Sequence, residues 1–285
     1  MDLPAEVGFA VPLAGWGVAW ADLPEVAALR RVLPAWAPAQ TPAHFLKHAD
    51  EQTVVAVAAV DRAIRQWELP LEAVRQWPIV AAPQCVGRIA GAATLGRFAR
   101  GGAPTVSPHL IPQHSLHSVS GALSILLGSR APNLGISGGA GAVEEGLLGL
   151  LTLVAGWNVP GAWLVGTAME PEPQLTDEGQ CVNQPRAWAV ALALDRQGAA
   201  AACGQLGLHA ARHPSAILWS GAKETSADPA PAALAVAGPR WAELTRQLEA
   251  AQHSGRPLQA AWTLSAGVRI ELAAACPSRA ARAAA

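Results

Sequence analysis

The chain has 285 residues, enough to enclose a substantial hydrophobic core as one large domain or two modest ones, which excludes a peptide hormone or a disulfide-stapled mini-protein. Gly 27 and Pro 23 together fall well short of the roughly 25–30% share that marks low-complexity or disordered chains. Lys+Arg 20 against Asp+Glu 21 gives a formal net charge of -1, so no summed field exists to hold a polyanion or an anionic membrane, and nucleic acid is not an expected partner.

Charged residues make up 14% and hydrophobic ones 51%, so the solvated surface must be small or rather apolar, which points to an interface. The most apolar stretch, Leu147 to Ala168, is broken by Gly149, Gly156, Asn158, Pro160 and Gly161. A spanning helix needs ~20 continuous apolar residues, so no membrane span is expected. The N-terminus, MDLPAEVGFAVPL, carries acidic residues where a secretory signal needs positive ones, and a cytoplasmic location is expected. Cys85, Cys181, Cys203 and Cys276 form no C-x-x-C pair and no zinc-ligand spacing, so they read as buried or incidental thiols.

In chain order, residues 1–40 combine Trp16, Trp20 and Trp36 with several prolines and read as an N-terminal extended segment with at most one short helix around Glu25 to Leu33. From Thr53 the run TVVAVAAVDRAIRQW has the apolar spacing of an amphipathic helix that ends near Pro70. WPIVAAP reads as a buried strand, and Ile89 to Ala99 as a helix stopped by Gly101-Gly102. A Pro- and His-containing loop then runs into an apolar helix starting near His117, with Ser115 or Ser118 as N-cap. Asn133 to Ser137 is strand-sized, Ala142 to Val154 helical, and Gly161 to Ala168 and Ala187 to Leu194 are buried strands. After Gly198 the pattern weakens to a loop-like stretch, Ser220 to Pro231, an amphipathic helix, Arg240 to Ala251, and one final strand, Ala260 to Leu272. Alternating helices and short apolar strands define an α/β layered fold with a mostly buried sheet.

The stretch Gly135-Ile136-Ser137-Gly138-Gly139-Ala140-Gly141 lies between an expected strand and an expected helix. Small residues permit a sharp turn there, and the helix N-terminus that follows offers free amide groups to an oxyanion or an acyl carbonyl. GISGG matches the G-x-S-x-G nucleophile elbow, with Ser137 as nucleophile of a hydrolase or acyltransferase. The histidines that such an enzyme needs later in the chain, His209, His213 and His253, sit in helix-like or loop sequence. His109, His114 and His117 lie in a Pro-rich loop without metal-ligand spacing, so a hydrogen-bonding role is expected, and no metal site. Glu144 and Glu145 fall in the first turn of the following helix, where negative charge caps the dipole. The eleven tryptophans are spread along the chain as core and interface anchors, and Arg88, Arg97 and Arg100 read as a solvated helix face or as contacts to an acidic carrier protein or a phosphopantetheine phosphate.

The order of features from about Val54 to Leu194 resembles the N-terminal half of a β-ketoacyl synthase of the thiolase-like superfamily. The helix VVAVAAVDRAI and the strand PIVAAP are followed by Ser107-Pro108, then His117 to Ile125 with Gly121 and Ser124 in place of an N-x-x-x-G-x-x-S-I helix, then Ala131-Pro132 and the nucleophile turn. The resemblance implies a thiolase-like layered fold, helices around a mixed sheet, with residues 41–198 as the ketosynthase-like half and residues 199–285 as a shortened or remodelled C-terminal half. Position by position from Pro132, the family's catalytic cysteine falls on Ala140, and neither of the family's histidine motifs is found. A methyl group forms no acyl thioester, so no catalytic residue is expected.

Such a scaffold without its cysteine is similar to chain-length-factor-type subunits. The resemblance implies a non-condensing partner of an active β-ketoacyl synthase, as a hetero- or homodimer, in fatty-acid-like or polyketide (aryl-polyene-like) biosynthesis. His114, His117, Ser118, Gly138, Gly139 and Ala140 would then line the acyl tunnel or the subunit boundary. No cofactor is implied beyond the acyl-phosphopantetheine of an acyl carrier protein as ligand.

Overall fold

A computed structural model of the chain describes residues 6–108, 110–136, 138–139, 141–198, 200–211, 241–263 and 268–275. The elements in chain order are β1 (Glu6–Asp22), α1 (Leu23–Leu29), α2 (Glu51–Gln66), α3 (Leu71–Val74), β2 (Ile79–Pro83), α4 (Arg88–Gly101), α5 (Leu110–His114), α6 (Ser118–Leu127), β3 (Asn133–Gly135), α7 (Ala142–Gly156), β4 (Gly161–Glu170), β5 (Arg186–Asp195), β6 (Gly204–Ala211), α8 (Trp241–Ser254), β7 (Leu258–Thr263) and β8 (Val268–Ala274). The strands form one 8-stranded sheet in the order β3-β2-β4-β5-β1-β6-β8-β7. β2 runs parallel to both β3 and β4, and the remaining neighbours are antiparallel, so the sheet is mixed. The expected α/β layering of helices around a mixed, mostly buried sheet is what the chain adopts.

Side chains alternate across the strands into two apolar layers. On one side Ala187, Ala189, Ala191 and Ala193 of β5 and Trp163 and Val165 of β4 pack in a cluster with the buried residues of α2 and α6. On the other, Val190, Leu192 and Leu194 of β5 meet Leu147, Leu150 and Leu151 of α7 and Trp241, Leu244 and Leu248 of α8. The row of alanines lets α2 approach the sheet closely, and Gly17 of β1 completes the approach. A Cβ at Gly17 would lie 2.0 Å from the Ala59 carbonyl oxygen and 2.6 Å from the Ala63 nitrogen. On the opposite face the Trp241 indole lies over Gly166, and its Nε1 donates to the Ala82 carbonyl at 2.7 Å. Trp16, Trp77, Trp163 and Trp241 are fully buried, in line with the anchoring role expected of the tryptophans.

Several expectations are corrected. The extended segment at the N-terminus is a 17-residue strand in the interior of the sheet, between β5 and β6. The Pro-rich loop before His117 contains the short helix α5. The final strand is a pair, β7 and β8, hydrogen-bonded to each other, because residues 258–263 fold back antiparallel on residues 268–274. β6, which the sequence does not announce, bridges that pair to β1. Neither Ser115 nor Ser118 caps α6: the N-cap residue is His117, with no side-chain capping bond. The loop-like stretch at 220–231, together with His109, Ser137, Ala140, His213 and Cys276, lies outside the described residues. Among the described residues no helix is long and apolar enough to cross a membrane. Cys85 and Cys181 are free thiols of intermediate exposure.

Candidate functional site

Among the described residues β3 lies at the sheet's edge, and α7 follows it in the chain, with Ile136, Gly138, Gly139 and Gly141 described between the two. The segment is tied once to β2 and once to the loop after it. Ile136 N–H donates to the Ala81 carbonyl at 2.8 Å, and Cys85 N–H donates to the Gly138 carbonyl at 2.8 Å. Gly138 has φ 144°, a region that L side chains rarely adopt, and a Cβ there would sit 2.8 Å from Leu116 Cδ2. At Gly135 a Cβ would lie 2.3 Å from the Leu116 carbonyl oxygen and 2.9 Å from the His117 nitrogen. The N-terminal end of α6 therefore rests directly on β3 and its turn. This contact sets Leu116 and His117 against Gly135 and Gly138.

His117 is exposed, and its Nδ1 lies 3.3 Å from Ser120 Oγ. Ser118 is buried, with Oγ 3.4 Å from Thr53 Oγ1 of α2. Both line a cavity of about 370 Å³ with Phe45, Leu46, Ala122 and Ile125, an apolar chamber with hydroxyl groups at its rim. Glu144 and Glu145 occupy the first turn of α7, as expected of dipole-stabilising carboxylates. His114, the last residue of α5, is not among the residues lining that cavity; its Nδ1 stands 3.6 Å from Asp50 Oδ2 and makes no hydrogen bond. Of the three arginines, Arg88 pairs with Glu172, and Arg97 donates to Thr94 Oγ1 at 2.8 Å.

Sequence reasoning missed the polar network that holds the strand ends behind this corner. Asp50, 2% exposed, accepts from Gln52 N–H at 2.9 Å as the N-cap of α2 and from Gly87 N–H at 3.0 Å. Gln52 donates through Nε2 to the Gln84 carbonyl at 2.8 Å and accepts from Thr167 Oγ1 at 2.6 Å. The loop after β2 is thus clamped to α2 and β4, and Cys85 within it carries the turn. An acidic residue one place before a helix was the available signal for Asp50. Next to it, Glu51 has its carboxyl raised above the ordinary range, chiefly by burial and then by the Asp50 charge, against the pull of its own backbone hydrogen bond and of Arg30 at 2.7 Å.

Of the histidines considered for a Ser137 enzyme, His209 and His253 are described. His209 lies on β6, five places from β3 in the sheet, which is roughly 24 Å at about 4.8 Å per strand. His253, at the end of α8, has its Nδ1 2.8 Å from its own helix's Glu249 carbonyl. Among the described residues no group of three or more His, Cys, Asp or Glu could hold a metal ion.

The rim beside the turn is apolar. β3 is the last strand of the sheet, and a groove of about 650 Å³ lined by Leu134, Ile136, Leu148, Leu153 and Trp157 runs along it and α7. Trp157 is 52% exposed, and Leu134 and Leu148 are more than a third exposed.

No family model matches the chain, and no curated protein matches it. Among solved structures it is similar to a beta-ketoacyl synthase from Burkholderia phymatum STM815, with 14% identity over 70% of this chain and 63% of that one and a TM-score of 0.49. It is similar to a type II PKS acyl-carrier protein in complex with its ketosynthase (AntDE:AntF), with 15% identity over 69% and 67% of the two chains and a TM-score of 0.47. It is also similar to the ishigamide ketosynthase/chain length factor, with 16% identity over 71% and 64% and a TM-score of 0.44. The chain spans less than two thirds of the length of the Burkholderia synthase.

Proposed function

We propose that the chain is a ketosynthase-like subunit of the chain-length-factor kind. In this reading it condenses nothing itself, pairs with an active β-ketoacyl synthase, and shapes the acyl tunnel in fatty-acid-like or polyketide assembly of the aryl-polyene-like type. The observation that carries the reading is the strand, turn and helix from Asn133 to Gly156, whose sequence follows the ketosynthase nucleophile turn but has Ala140 at the cysteine position. A methyl group cannot accept an acyl chain, so the acyl-phosphopantetheine of a carrier protein is a ligand here and not a substrate. The end strand and its apolar groove support a partner, because among the described residues nothing pairs with the outer edge of β3 beside exposed Leu134, Leu148 and Trp157, and such an edge is costly in solution.

The test is co-expression with an active β-ketoacyl synthase from the same cells, followed by affinity purification and light scattering. A stoichiometric complex that Trp157→Arg abolishes, with the thermal melt of the variant unchanged, is expected. A homodimer indifferent to added synthase overturns the partner assignment. In the reconstituted pair, Ala140→Trp is expected to change product length, and Ala140→Cys to add no condensation. Labelling by a fluorophosphonate probe that vanishes in Ser137→Ala overturns the non-catalytic assignment.

A further inference from the structure

The two ends of the sheet differ. β3 at one end is three residues long, whereas β7 at the other runs for six, Leu258–Thr263, and pairs on its inner side with β8 in an unbroken register from Leu258↔Ala274 to Thr263↔Arg269. Among the described residues nothing pairs with the outer side of β7. A row of backbone N–H and C=O groups therefore faces outward along roughly 20 Å, at about 3.3 Å per residue. Natural sheets blunt such an edge with charges, prolines or bulges, yet the sequence of β7, LQAAWT, holds neither a charge nor a proline, and its register with β8 has no bulge.

The side chains of β7 sort into two rows. Leu258 and Trp262 pack from the rim against the apolar cluster that includes α8, and both are only half-buried. Ala260 shares their face by alternation, while Gln259 and Ala261 point to the opposite face and are exposed. On that opposite face the charges of the neighbouring strand satisfy each other, Arg269 Nε donating to Glu271 Oε1 at 2.8 Å. Nothing on this edge selects a charged partner.

We propose that β7 is an interface at which two copies of this chain pair antiparallel across a two-fold axis at Ala260. Residues directly opposite in an antiparallel pair share a face, so a two-fold axis normal to the sheet passes through a residue position and not between two. With the axis at Ala260, Leu258 of each copy meets Trp262 of the other on the α8 side, and Gln259 meets Ala261 on the open face. The Leu and Trp contact covers what each leaves in solvent, as stabilising cross-strand neighbours do. Small side chains lie at the axis, and no charge on β7 meets its own copy. An axis at Ala261 would instead set Gln259 against Thr263 and leave Leu258 without this partner. The strand is thus its own complement, which is why the occupant is a second copy and not a foreign strand. A strand edge alone buries less than the roughly 1,200–2,000 Å² of a standard interface, so the pairing is expected to be reversible at micromolar concentrations. It does not depend on binding to a synthase, because β3 and β7 are opposite ends of the sheet.

Sedimentation velocity of the full chain across the micromolar range tests the proposal, with a shift from monomer to dimer expected as concentration rises. Ala261→Lys places a charge on the edge at an exposed position, and is expected to raise the dissociation constant about tenfold with the thermal melt unchanged. An equimolar mixture of Ala261→Lys and Gln259→Glu chains is expected to pair more tightly than either variant alone. In the Ala260 register the introduced ammonium and carboxylate lie directly opposite each other. Trp157→Arg, which alters the groove at the β3 end, is expected to leave this dimer intact, so that loss of this pairing and loss of a synthase complex are read separately. A chain monomeric throughout, a dimer indifferent to Ala261→Lys, a mixture no tighter than its components, or a dimer broken by Trp157→Arg overturns the proposal.

Discussion

Asp50 offers the sharpest check on how the corner at the turn is held. Its two carboxylate oxygens each accept a different backbone N–H, Gln52 at 2.9 Å and Gly87 at 3.0 Å, and the side chain is 2% exposed. Asp50→Ala removes a helix cap, worth about 1 kcal/mol. It also strands the Gly87 N–H in a buried place, which costs about 1–3 kcal/mol more. Relief of the buried charge and of its repulsion toward Glu51 offsets part of this, so a net loss of about 2–3 kcal/mol is expected at neutral pH. Asp50→Asn is nearly isosteric, yet it should cost almost as much. Its amide keeps one acceptor oxygen and turns an NH2 group toward the other backbone donor. Urea unfolding followed by tryptophan fluorescence reads the difference as a midpoint lowered by about 1 M in both variants, at an m-value of about 2–3 kcal/mol/M. A midpoint for Asp50→Asn equal to that of the wild type would refute the two-acceptor account, since a single acceptor would then suffice.

Three further outcomes follow from the same geometry. Gly17→Val drives a side chain into the backbone of α2 at Ala59 and Ala63, atoms that cannot yield, and is expected to destabilise by about 3 kcal/mol or to prevent soluble expression; a melt within a degree of wild type contradicts the packing described. Trp241→Phe removes the Nε1 bond to the Ala82 carbonyl and leaves a gap over Gly166, and a loss of about 2–3 kcal/mol is expected in chemical denaturation. Glu51 titrates above its ordinary 4.5 in the folded chain, so the folded state holds its proton more tightly than the unfolded one. Its contribution to stability is fully present below pH 4.5 and fades as pH rises through the raised folded value, and Glu51→Gln is expected to flatten the stability profile in that window.

The helices with long amphipathic or apolar repeats, α2, α4, α7 and α8, were legible because period and stop signals agree. β4 and β5 were legible as continuous apolar runs because helices cover both faces of the sheet there. β1 was not, although it lies in the sheet's interior. Its sequence holds Pro12 and three glycines, which by local rules demote a strand. Tertiary packing reverses that reading: Gly17 is where α2 crosses, and a register shift between Leu13 and Gly15 re-aims the side chains. β6 and the β7 and β8 pair are rich in Gly and Ala, so neither propensity nor alternation marks where one strand ends and the next begins. At the site, the turn was visible as a cluster of small residues. The Asp50 and Gln52 network was not, because its partners lie 37 and 115 residues away in sequence.

The composition itself needs a second reading in this light. A charge content of 14% against 51% hydrophobic residues implied an interface, but an 8-stranded sheet with apolar clusters on both faces consumes much of that excess inside the chain. The alanines are the clearest case: the row on β5 counts as hydrophobic composition, yet its function is to let α2 sit close to the sheet. What composition alone could not distinguish is therefore apolar residues that are small for packing from apolar residues left in solvent. Among the described residues the latter are Leu134, Leu148 and Trp157 along the β3 edge, Leu116 and Ile125 on the adjoining segment, and Val32, Leu95, Phe98 and Val182 elsewhere. Under the proposed function, the three at the β3 edge and Ala140 at the cysteine position would pose one question, since a subunit that forms no thioester would have its use where it borders one that does.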